Sequence, residues 1–204
     1  VHAENHDTTS KRDDSATWTE DIPSVVAGTV KPAPGSTVGS GTTKAVTDLT
    51  LIVPYNDAED LDRLLTANAG EVAALIMEPV MMNVGIIDPE PGYLDAVREV
   101  CSRHGVILIF DEVKTGATIA YGGAEEVYGV APDLKCFAKA VGGGTPLGGF
   151  GGRGELMAEI AKDGVPQLGT FNGNPLCARA GLVALTEVLT EVIAEFGPSS
   201  ETNA

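Results

Sequence analysis

The chain has 204 residues, of which 43% are hydrophobic and 21% are charged, so it is long enough and apolar enough to build one sizeable core. Acidic residues outnumber basic residues 29 to 13, and a net charge of −16 argues against the basic surface that non-specific nucleic-acid binding requires. No apolar run approaches the roughly 18 residues of a membrane-spanning helix, and the polar first residues lack the apolar centre of a signal peptide. We therefore expect a soluble, cytoplasmic protein with neither a nucleic-acid nor a membrane partner.

The three cysteines, Cys101, Cys136 and Cys177, are widely spaced and odd in number. Because no CxxC pair is present, the sequence predicts neither a disulfide framework nor a metal site. We expect buried free thiols in a reducing compartment.

Residues 1–48 are rich in Asp, Ser, Thr, Gly and Pro, which predicts a polar, irregular leader. The composition changes at Leu49, where "LTLIVPYN" predicts a short strand. "DAEDLDRLLTANAG" predicts a helix that is capped by Asp57 and stops at Gly70. The continuous apolar run "VAALIMEPV" predicts a strand that is covered on both faces.

A second round of the same elements follows. "PGYLDAVREVCSRHG" predicts a helix closed by Gly105, and "VILIFDEV" predicts another buried strand. "PDLKCFAKAV" and "PLGGFGG" predict two further strands. "NPLCARAGLVALTEVLTEVIAEF" predicts a long amphipathic helix from Asn174, followed by a polar tail over 197–204. This alternation predicts an α/β fold with a mostly parallel sheet and helices on both faces.

Polar side chains follow three of the predicted strands at the point where each strand ends. Glu78 follows "AALIM", Asp111 and Glu112 follow "VILIF", and Lys139 follows "LKCFA". In open α/β sheets, ligands bind outside the carboxyl ends of the strands. Each residue alone is compatible with an ordinary loop position, but together they predict a ligand site at this edge of the sheet.

The predicted chemistry depends on Asp111 and Lys139. A carboxylate directly after four apolar strand residues is partly desolvated and needs a cation or a donor. Asp111 therefore caps a helix, pairs with Lys114 or keeps a ligand nitrogen protonated. Desolvation favours the neutral amine of a lysine, and a free amine at Lys139 can attack a carbonyl to form a Schiff base. Pyridoxal phosphate, an aldehyde whose ring nitrogen needs an acidic partner, suits both residues.

Two glycine-rich segments complete the predicted site. "GGGTPLGG" has neither the spacing of a dinucleotide-binding loop nor the Lys-Ser/Thr pair of a P-loop, so a nucleotide-binding domain is the weaker alternative. We expect it to supply flexible backbone around a bulky cofactor, or a tight subunit contact. In "GTFNGNP", Thr170 either donates its hydroxyl to a phosphate or belongs to an N-cap loop before Pro175.

Taken together, these segments resemble the class III, fold type I, PLP-dependent aminotransferases, and within that class the glutamate-1-semialdehyde 2,1-aminomutase group. The resemblance is carried by "IMEPVMMNVGIIDPEPGYLDAVREVCSRHGVILIFDEVKTG", "YGGAEEVYGVAPDLKCFAKAVGGGTPLGGFGGRGELM" and "GTFNGNPLCARAGL". It extends over about Leu49 to Leu189. It implies that residues 49–196 form part of a large domain that binds pyridoxal 5'-phosphate.

The resemblance also implies a role for each matching residue. Lys139 in "AKAVGGG" would be the Schiff-base lysine and proton shuttle, and Asp111 in "FDEVKTG" would pair with the pyridine nitrogen. Val113 would pack against the ring, and Asn83 in "EPVMMNVG" would lie near the phenolic oxygen. Thr170 would contact the phosphate of the neighbouring subunit's cofactor, which implies a homodimer.

The implied activity is transfer of an amino group on a small amino acid, amine, or keto or aldehyde substrate, with Glu78 supporting the site rather than reacting. The family's phosphate loop and ring-stacking aromatic residue are not recognisable in 1–48, and its small domain is missing after residue 196. In addition, "GFR" and "LGK" of the family pattern are replaced by "ATIA" and "FAK". We therefore expect a fragment or truncated product with an unrelated or frameshifted leader, and the alternative function is a catalytically inactive remnant.

Overall fold

The computed structural model describes residues 27–29, 50–162 and 165–196. The predicted leader, apart from residues 27–29, and the predicted tail over 197–204 therefore lie outside the described residues. Every helix in the described ranges is too short or too polar to span a lipid bilayer.

Short strands alternate with helices along the chain. The strands are β1 (Ala27–Thr29), β2 (Val53–Pro54), β3 (Ala74–Met77), β4 (Ile107–Asp111), β5 (Leu134–Phe137) and β6 (Gly149–Gly152). The α-helices are α1 (Ala58–Ala67), α2 (Tyr93–His104), α3 (Ala124–Tyr128), α4 (Gly154–Ala161), α5 (Pro175–Val183) and α6 (Leu189–Phe196). A 3₁₀ turn (Lys139–Gly142) follows β5, and a π-helical segment (Ala184–Val188) joins α5 to α6.

The main sheet has the strand order β3-β4-β5-β6. The first three strands are parallel, and β6 runs antiparallel to β5. The register of β4 and β5 sets Ile109 opposite Leu134 and Asp111 opposite Cys136. Strands β1 and β2 form a separate parallel pair. The predicted α/β class with a mostly parallel sheet is confirmed, and so is the strand predicted from "PLGGFGG".

Helix α1 begins where the sequence predicts and ends before the predicted stop. Asp57 is the N-cap, and its Oδ1 accepts a hydrogen bond from the Asp60 N–H at 2.8 Å. The predicted stop at Gly70 is wrong, because Asn68 already caps the helix. Its side-chain Nδ2 donates to the carbonyl of Leu64 at 2.8 Å, which satisfies the last turn.

Helix α2 ends at Gly105 as predicted, and α5 begins after Asn174 as predicted. The long C-terminal helix is continuous from 175 to 196 but contains the π-helical segment, which the sequence did not predict. Thr186 and Thr190 there donate their hydroxyls to the carbonyls of Leu182 and Leu185, the kind of back-bonding that bends helices.

The hydrophobic core lies between the sheet and helices α1 and α2. Side chains on one face of the central strands are buried, among them Leu75, Leu108 and Phe110. On the opposite face, Ile76 and Ile109 are only half-buried. The prediction of strands covered on both faces is therefore wrong for one face of the described sheet, because α1 and α2 both pack on the other face.

All three cysteines are free thiols. Cys101 is buried in the core on α2, where burial raises the pKa of its thiol to about 11. The prediction of buried thiols is wrong for Cys136 and Cys177, which are half-buried. Cys136 belongs to the less covered face of the sheet, which explains its exposure.

A buried carboxylate connects the amino ends of β4 and β5. Asp133 is 6% exposed, and its Oδ2 accepts hydrogen bonds from Arg98 and from the Leu108 N–H, each at 2.8 Å. Its Oδ1 accepts from Arg153 at 2.8 Å. Burial alone would raise the pKa of Asp133, but the hydrogen bonds from Arg153, Leu108 and Arg98 outweigh it and hold the pKa below its ordinary value.

We expect Asp133→Asn to lower the free energy of unfolding by about 3 kcal/mol at neutral pH, because it leaves Arg98 and Arg153 without their buried partner. Since the folded-state pKa of Asp133 is lowered, this stabilisation is present above the ordinary carboxyl pKa near 4 and is lost as the pH falls through the lower folded value. Urea unfolding at pH 7 and at about pH 3 measures the difference between variant and parent chain, which should narrow at low pH. Glu155→Gln, which removes an exposed partner of Arg153, is the control and should change stability by less than about 0.5 kcal/mol. A penalty for Asp133→Asn that is equal at both pH values would contradict the assignment.

Candidate functional site

Asp111 is the last residue of β4 and lies on the half-buried face of the sheet. Its Oδ1 accepts a hydrogen bond from the Val113 N–H at 3.0 Å. Among the described residues this is the only hydrogen bond to the carboxylate. The alternative of an ion pair with Lys114 is not realised, because the Lys114 ammonium lies 3.5 Å from the carbonyl of Met82 instead.

The pKa of Cys136 is affected by Asp111 on the neighbouring strand. The two residues are register partners in the β4–β5 ladder. Burial raises the pKa of the Cys136 thiol, and the negative charge of Asp111 raises it further. The Asp111 carboxylate is therefore close enough to influence a residue of β5, the strand that leads to Lys139.

Lys139 begins the 3₁₀ turn that follows β5 and has a φ of +52°. A residue with a Cβ pays roughly 1–2 kcal/mol for this left-handed conformation, and such strained residues concentrate at functional sites. The prediction that Lys139 is partly desolvated is wrong, because its side chain is exposed. Its amine makes no hydrogen bond or ion pair with the described part of the chain, so it is free to meet a ligand.

The glycines after Lys139 pack against the chain's own helix α5. Gly143 has a φ of +55°, and a Cβ there would lie 3.2 Å from both the carbonyl oxygen of Ala180 and the Cβ of Ala184. Glycine at this position therefore permits both the backbone conformation and the close contact with α5. The glycine run holds the Lys139 turn on the helix, while its contact with a cofactor or a second subunit stays a prediction.

Asn83 lies in a loop that is anchored to the carboxyl end of β3. Its Nδ2 donates to Glu78 Oε1 at 2.5 Å, and the Met82 N–H donates to Glu78 Oε2 at 2.7 Å. Tyr55 secures the start of the same loop, since its hydroxyl donates to the carbonyl of Pro79 at 2.6 Å. Glu78 thus positions the loop and holds Asn83 near the carboxyl end of β3, which neighbours β4 in the sheet.

Thr170 lies in an exposed turn before α5. The expected N-cap loop is present there, because Asn174 Oδ1 accepts from the Leu176 N–H at 3.0 Å and from the Cys177 N–H at 3.1 Å. Thr170 makes no hydrogen bond to the described residues. A role for its hydroxyl in holding a phosphate stays a prediction.

An ionic cluster next to Asp111, in which Glu112 is the buried member, was missed by the sequence reasoning. Glu112 is fully buried, and its Oε2 accepts from the Ala124 N–H at 2.7 Å and from the Thr115 hydroxyl at 3.2 Å. The Lys135 ammonium lies 3.8 Å from Glu112 Oε1 and 2.5 Å from a carboxylate oxygen of Glu125. The signal in the sequence was a lysine inside the apolar strand "LKCF", which requires a buried partner.

A mostly apolar cavity of about 450 Å³ lies beside the Lys139 turn, and Lys135 is its charged member. Its other lining residues include Tyr121, Phe137, Val141 and Leu147. Asp111 and Lys139 are outside this lining. In the described chain, Asp111 and Lys139 thus lie at the end of the β4–β5 pair rather than in the wall of this cavity.

Comparison with known proteins shows the family to which this sequence is similar. The sequence model described as "Aminotransferase class-III" matches residues 33–196. Glutamate-1-semialdehyde 2,1-aminomutase of Salinibacter ruber is 48% identical over 160 residues, which are 76% of this chain and 36% of that protein. An omega-transaminase from Sphaerobacter thermophilus superposes with a TM-score of 0.71 at 32% identity, over 82% of this chain and 44% of that chain. A structure described as "Transaminase with PLP bound" superposes with the same TM-score at 27% identity, over 82% of this chain and 44% of that chain.

The matches cover most of this chain but only part of each relative. The chain spans about a third of the length of the curated relatives it matches. The family match begins at residue 33, upstream of the predicted start of the large domain at Leu49. It covers the strands that end at Asp111 and before Lys139, together with the turn that contains Thr170. The chain belongs to the class III aminotransferase family of PLP-dependent enzymes.

Proposed function

We propose that this chain is the cofactor-binding part of an enzyme that transfers an amino group through a Schiff base at Lys139, as a transaminase or a glutamate-1-semialdehyde 2,1-aminomutase. The observation that carries the proposal is the placement of two residues at the end of the β4–β5 pair. There the half-buried carboxylate of Asp111 and the unengaged amine of Lys139 follow adjacent parallel strands. The substrates would be a small amino acid or amine and a keto or aldehyde compound.

The residues at this edge have the chemistry that the family's cofactor requires. Pyridoxal 5'-phosphate, when bound, supplies an electrophilic carbon and an electron-accepting ring. Asp111 has a carboxylate oxygen free of hydrogen bonds from the described chain, and it would hold the proton on the ring nitrogen. Lys139 Nζ would bind the cofactor and move a proton to and from the reacting carbon. Asn83 would donate from Nδ2 to the phenolic oxygen, and the Val113 side chain would pack against the ring.

A second subunit would complete the site. Leu168, Phe171 and Leu176, which flank Thr170, are 86%, 82% and 72% exposed. Large apolar side chains grouped at one exposed turn are typical of a protein interface. Their exposure supports a homodimer in which this turn packs against the partner and the Thr170 hydroxyl reaches the phosphate in the neighbouring site.

The second candidate is an inactive remnant that does not hold the cofactor. It is favoured by the exposure of Lys139 and by the position of Asp111 and Lys139 outside the lining of the apolar cavity. The two candidates differ in one measurable property, the covalent capture of the cofactor by a single lysine. A cytoplasmic location stays a prediction from the sequence.

Adding pyridoxal phosphate and then borohydride should yield one modified peptide that carries the adduct on Lys139. Peptide mapping by mass spectrometry measures the distribution of the adduct over all lysines. Lys139→Ala should abolish the specific adduct and the accompanying visible absorbance band, whereas Lys162→Ala, which removes an exposed lysine on another element, should retain both. Adducts scattered over surface lysines would contradict the proposed function and favour the remnant.

The positive φ of Lys139 predicts that a lysine at this position lowers the stability of the fold. Lys139→Gly and Lys139→Ala both remove the amine, but only glycine adopts a φ of +52° without strain. We expect the glycine variant to be more stable than the alanine variant by about 1 kcal/mol in urea unfolding. Ala140→Gly in the same turn is the control, and because Ala140 has no positive φ it should destabilise by about 0.5–1 kcal/mol. Equal stability of the two Lys139 variants would show that the turn is not strained.

The homodimer can be tested at the exposed turn. Phe171→Asp introduces a charge into the proposed interface, so the dimer dissociation constant measured by analytical ultracentrifugation should rise about tenfold or more. Val127→Asp, at an exposed apolar residue of α3, is the matched control and should leave the dissociation constant unchanged. The interface assignment fails if the parent chain is monomeric or if both variants dimerise equally.

A further inference from the structure

We infer that Glu112, paired with Lys135, is a positioning residue that aims Asp111 at the cofactor; the inference rests on the proposed role of Asp111. The two acids are consecutive, but alternation along the strand sends their side chains to opposite faces of the sheet. Asp111 is half-buried on the face that is only partly covered. Glu112 is fully buried on the other face.

Glu112 joins the two ends of the segment that follows Asp111. One oxygen, Oε2, accepts hydrogen bonds from the Thr115 hydroxyl at 3.2 Å and from the Ala124 N–H at 2.7 Å. The main-chain oxygen of Glu112 accepts from the Gly116 N–H at 2.8 Å. A single buried residue therefore closes residues 115–124 into a loop over the end of β4.

This loop is connected to Asp111 through Val113. The Val113 N–H donates to Asp111 Oδ1 at 3.0 Å, and Val113 lies between Glu112 and Thr115 in the chain. The Glu112 N–H donates to the carbonyl of Cys136 at 3.0 Å, which extends the ladder to β5 past Asp111. With Glu112 secured on both sides, the main chain at 111–113 is held and the Asp111 carboxylate keeps its direction.

Glycine at two loop positions lets the chain close around Glu112. Gly123 has a φ of +70°, and a Cβ at this position would collide with Glu112 Oε2. A Cβ at Gly116 would lie 2.8 Å from the Glu112 carbonyl oxygen and 2.9 Å from a ring carbon of Phe137. The close packing indicates that the position of the Glu112 side chain is tightly defined.

Lys135 provides the opposite charge for this carboxylate. Glu112 Oε1 accepts no hydrogen bond from the described residues, and the Lys135 ammonium is 3.8 Å away. Lys135 belongs to β5, four residues before Lys139, so the ion pair joins β5 to the residue that follows Asp111 at the end of β4. Removing the cation from such a pair is costly, because it leaves the buried Glu112 carboxylate without a partner for Oε1.

Amide hydrogen exchange on the chain itself tests the inference without any ligand. In Glu112→Gln, exchange at Val113 and over 115–124 should accelerate about tenfold or more beyond the change expected from global stability. Lys135→Met should have the same selective effect, because it leaves Glu112 buried without its cation, and it serves if the first variant does not fold. Asp133→Asn is the control, since it removes a buried carboxylate between the same two strands at their amino ends. It should accelerate exchange at Leu108 without a selective effect at Val113.

A titration with pyridoxal phosphate supplies the second readout. If the parent chain binds the cofactor, Glu112→Gln should shift the pH dependence of the bound cofactor's visible absorbance band, whereas Asp133→Asn should lower stability and leave that pH dependence unchanged. Unchanged Val113 exchange in both Glu112→Gln and Lys135→Met overturns the inference, whether or not cofactor binds. Failure of the parent chain to bind cofactor, with selective Val113 exchange in the variants, overturns the proposed function while the positioning of Asp111 by Glu112 stands.

Discussion

The parallel pairing of β4 with β5 is the constraint on which the site depends. The ladder sets Asp111 opposite Cys136, and the chain then leaves β5 within one residue of Lys139. Parallel strands end at the same edge of a sheet, so the carboxylate at the end of one strand and the lysine shortly after the next lie at that edge. A change of register by one residue would turn Asp111 into the buried face and Glu112 towards the site.

Two buried acids secure this pair of strands at its two ends. Asp133 ties the amino ends through Leu108, Arg98 and Arg153 and has a fully satisfied carboxylate. Glu112 ties the carboxyl ends, but one of its oxygens lacks a hydrogen bond within the described chain and faces Lys135. The end with complete hydrogen bonding contributes stability, whereas the less satisfied end carries the candidate chemistry. This division is expected where a protein keeps strain and unpaired polar groups near its functional residues.

Lys139 shows the same tension in the backbone. Its left-handed conformation lies between two fixed elements. Strand β5 precedes it, and Gly143 after it contacts α5. The Lys139 side chain is exposed at this turn. The exposed apolar residues around Thr170 indicate where further protein surface would approach this edge. A turn with a left-handed residue and an exposed amine is suited to a site that other segments complete.

Features that depend on neighbouring residues could be predicted from the amino-acid sequence. The apolar runs predicted β3, β4 and β5, Asp57 and Asn174 marked the starts of helices, and the ordered motifs around Asp111 and Lys139 identified the family. Three other features became visible in the folded chain: the pairing of Glu112 with Lys135, the better coverage of one sheet face, and the packing of the glycine run on α5. These outcomes depend on residues far apart in the chain, whose proximity follows from strand order and helix packing. A local pattern encodes the preference of a segment, but burial and charge pairing exist only after the segments have assembled.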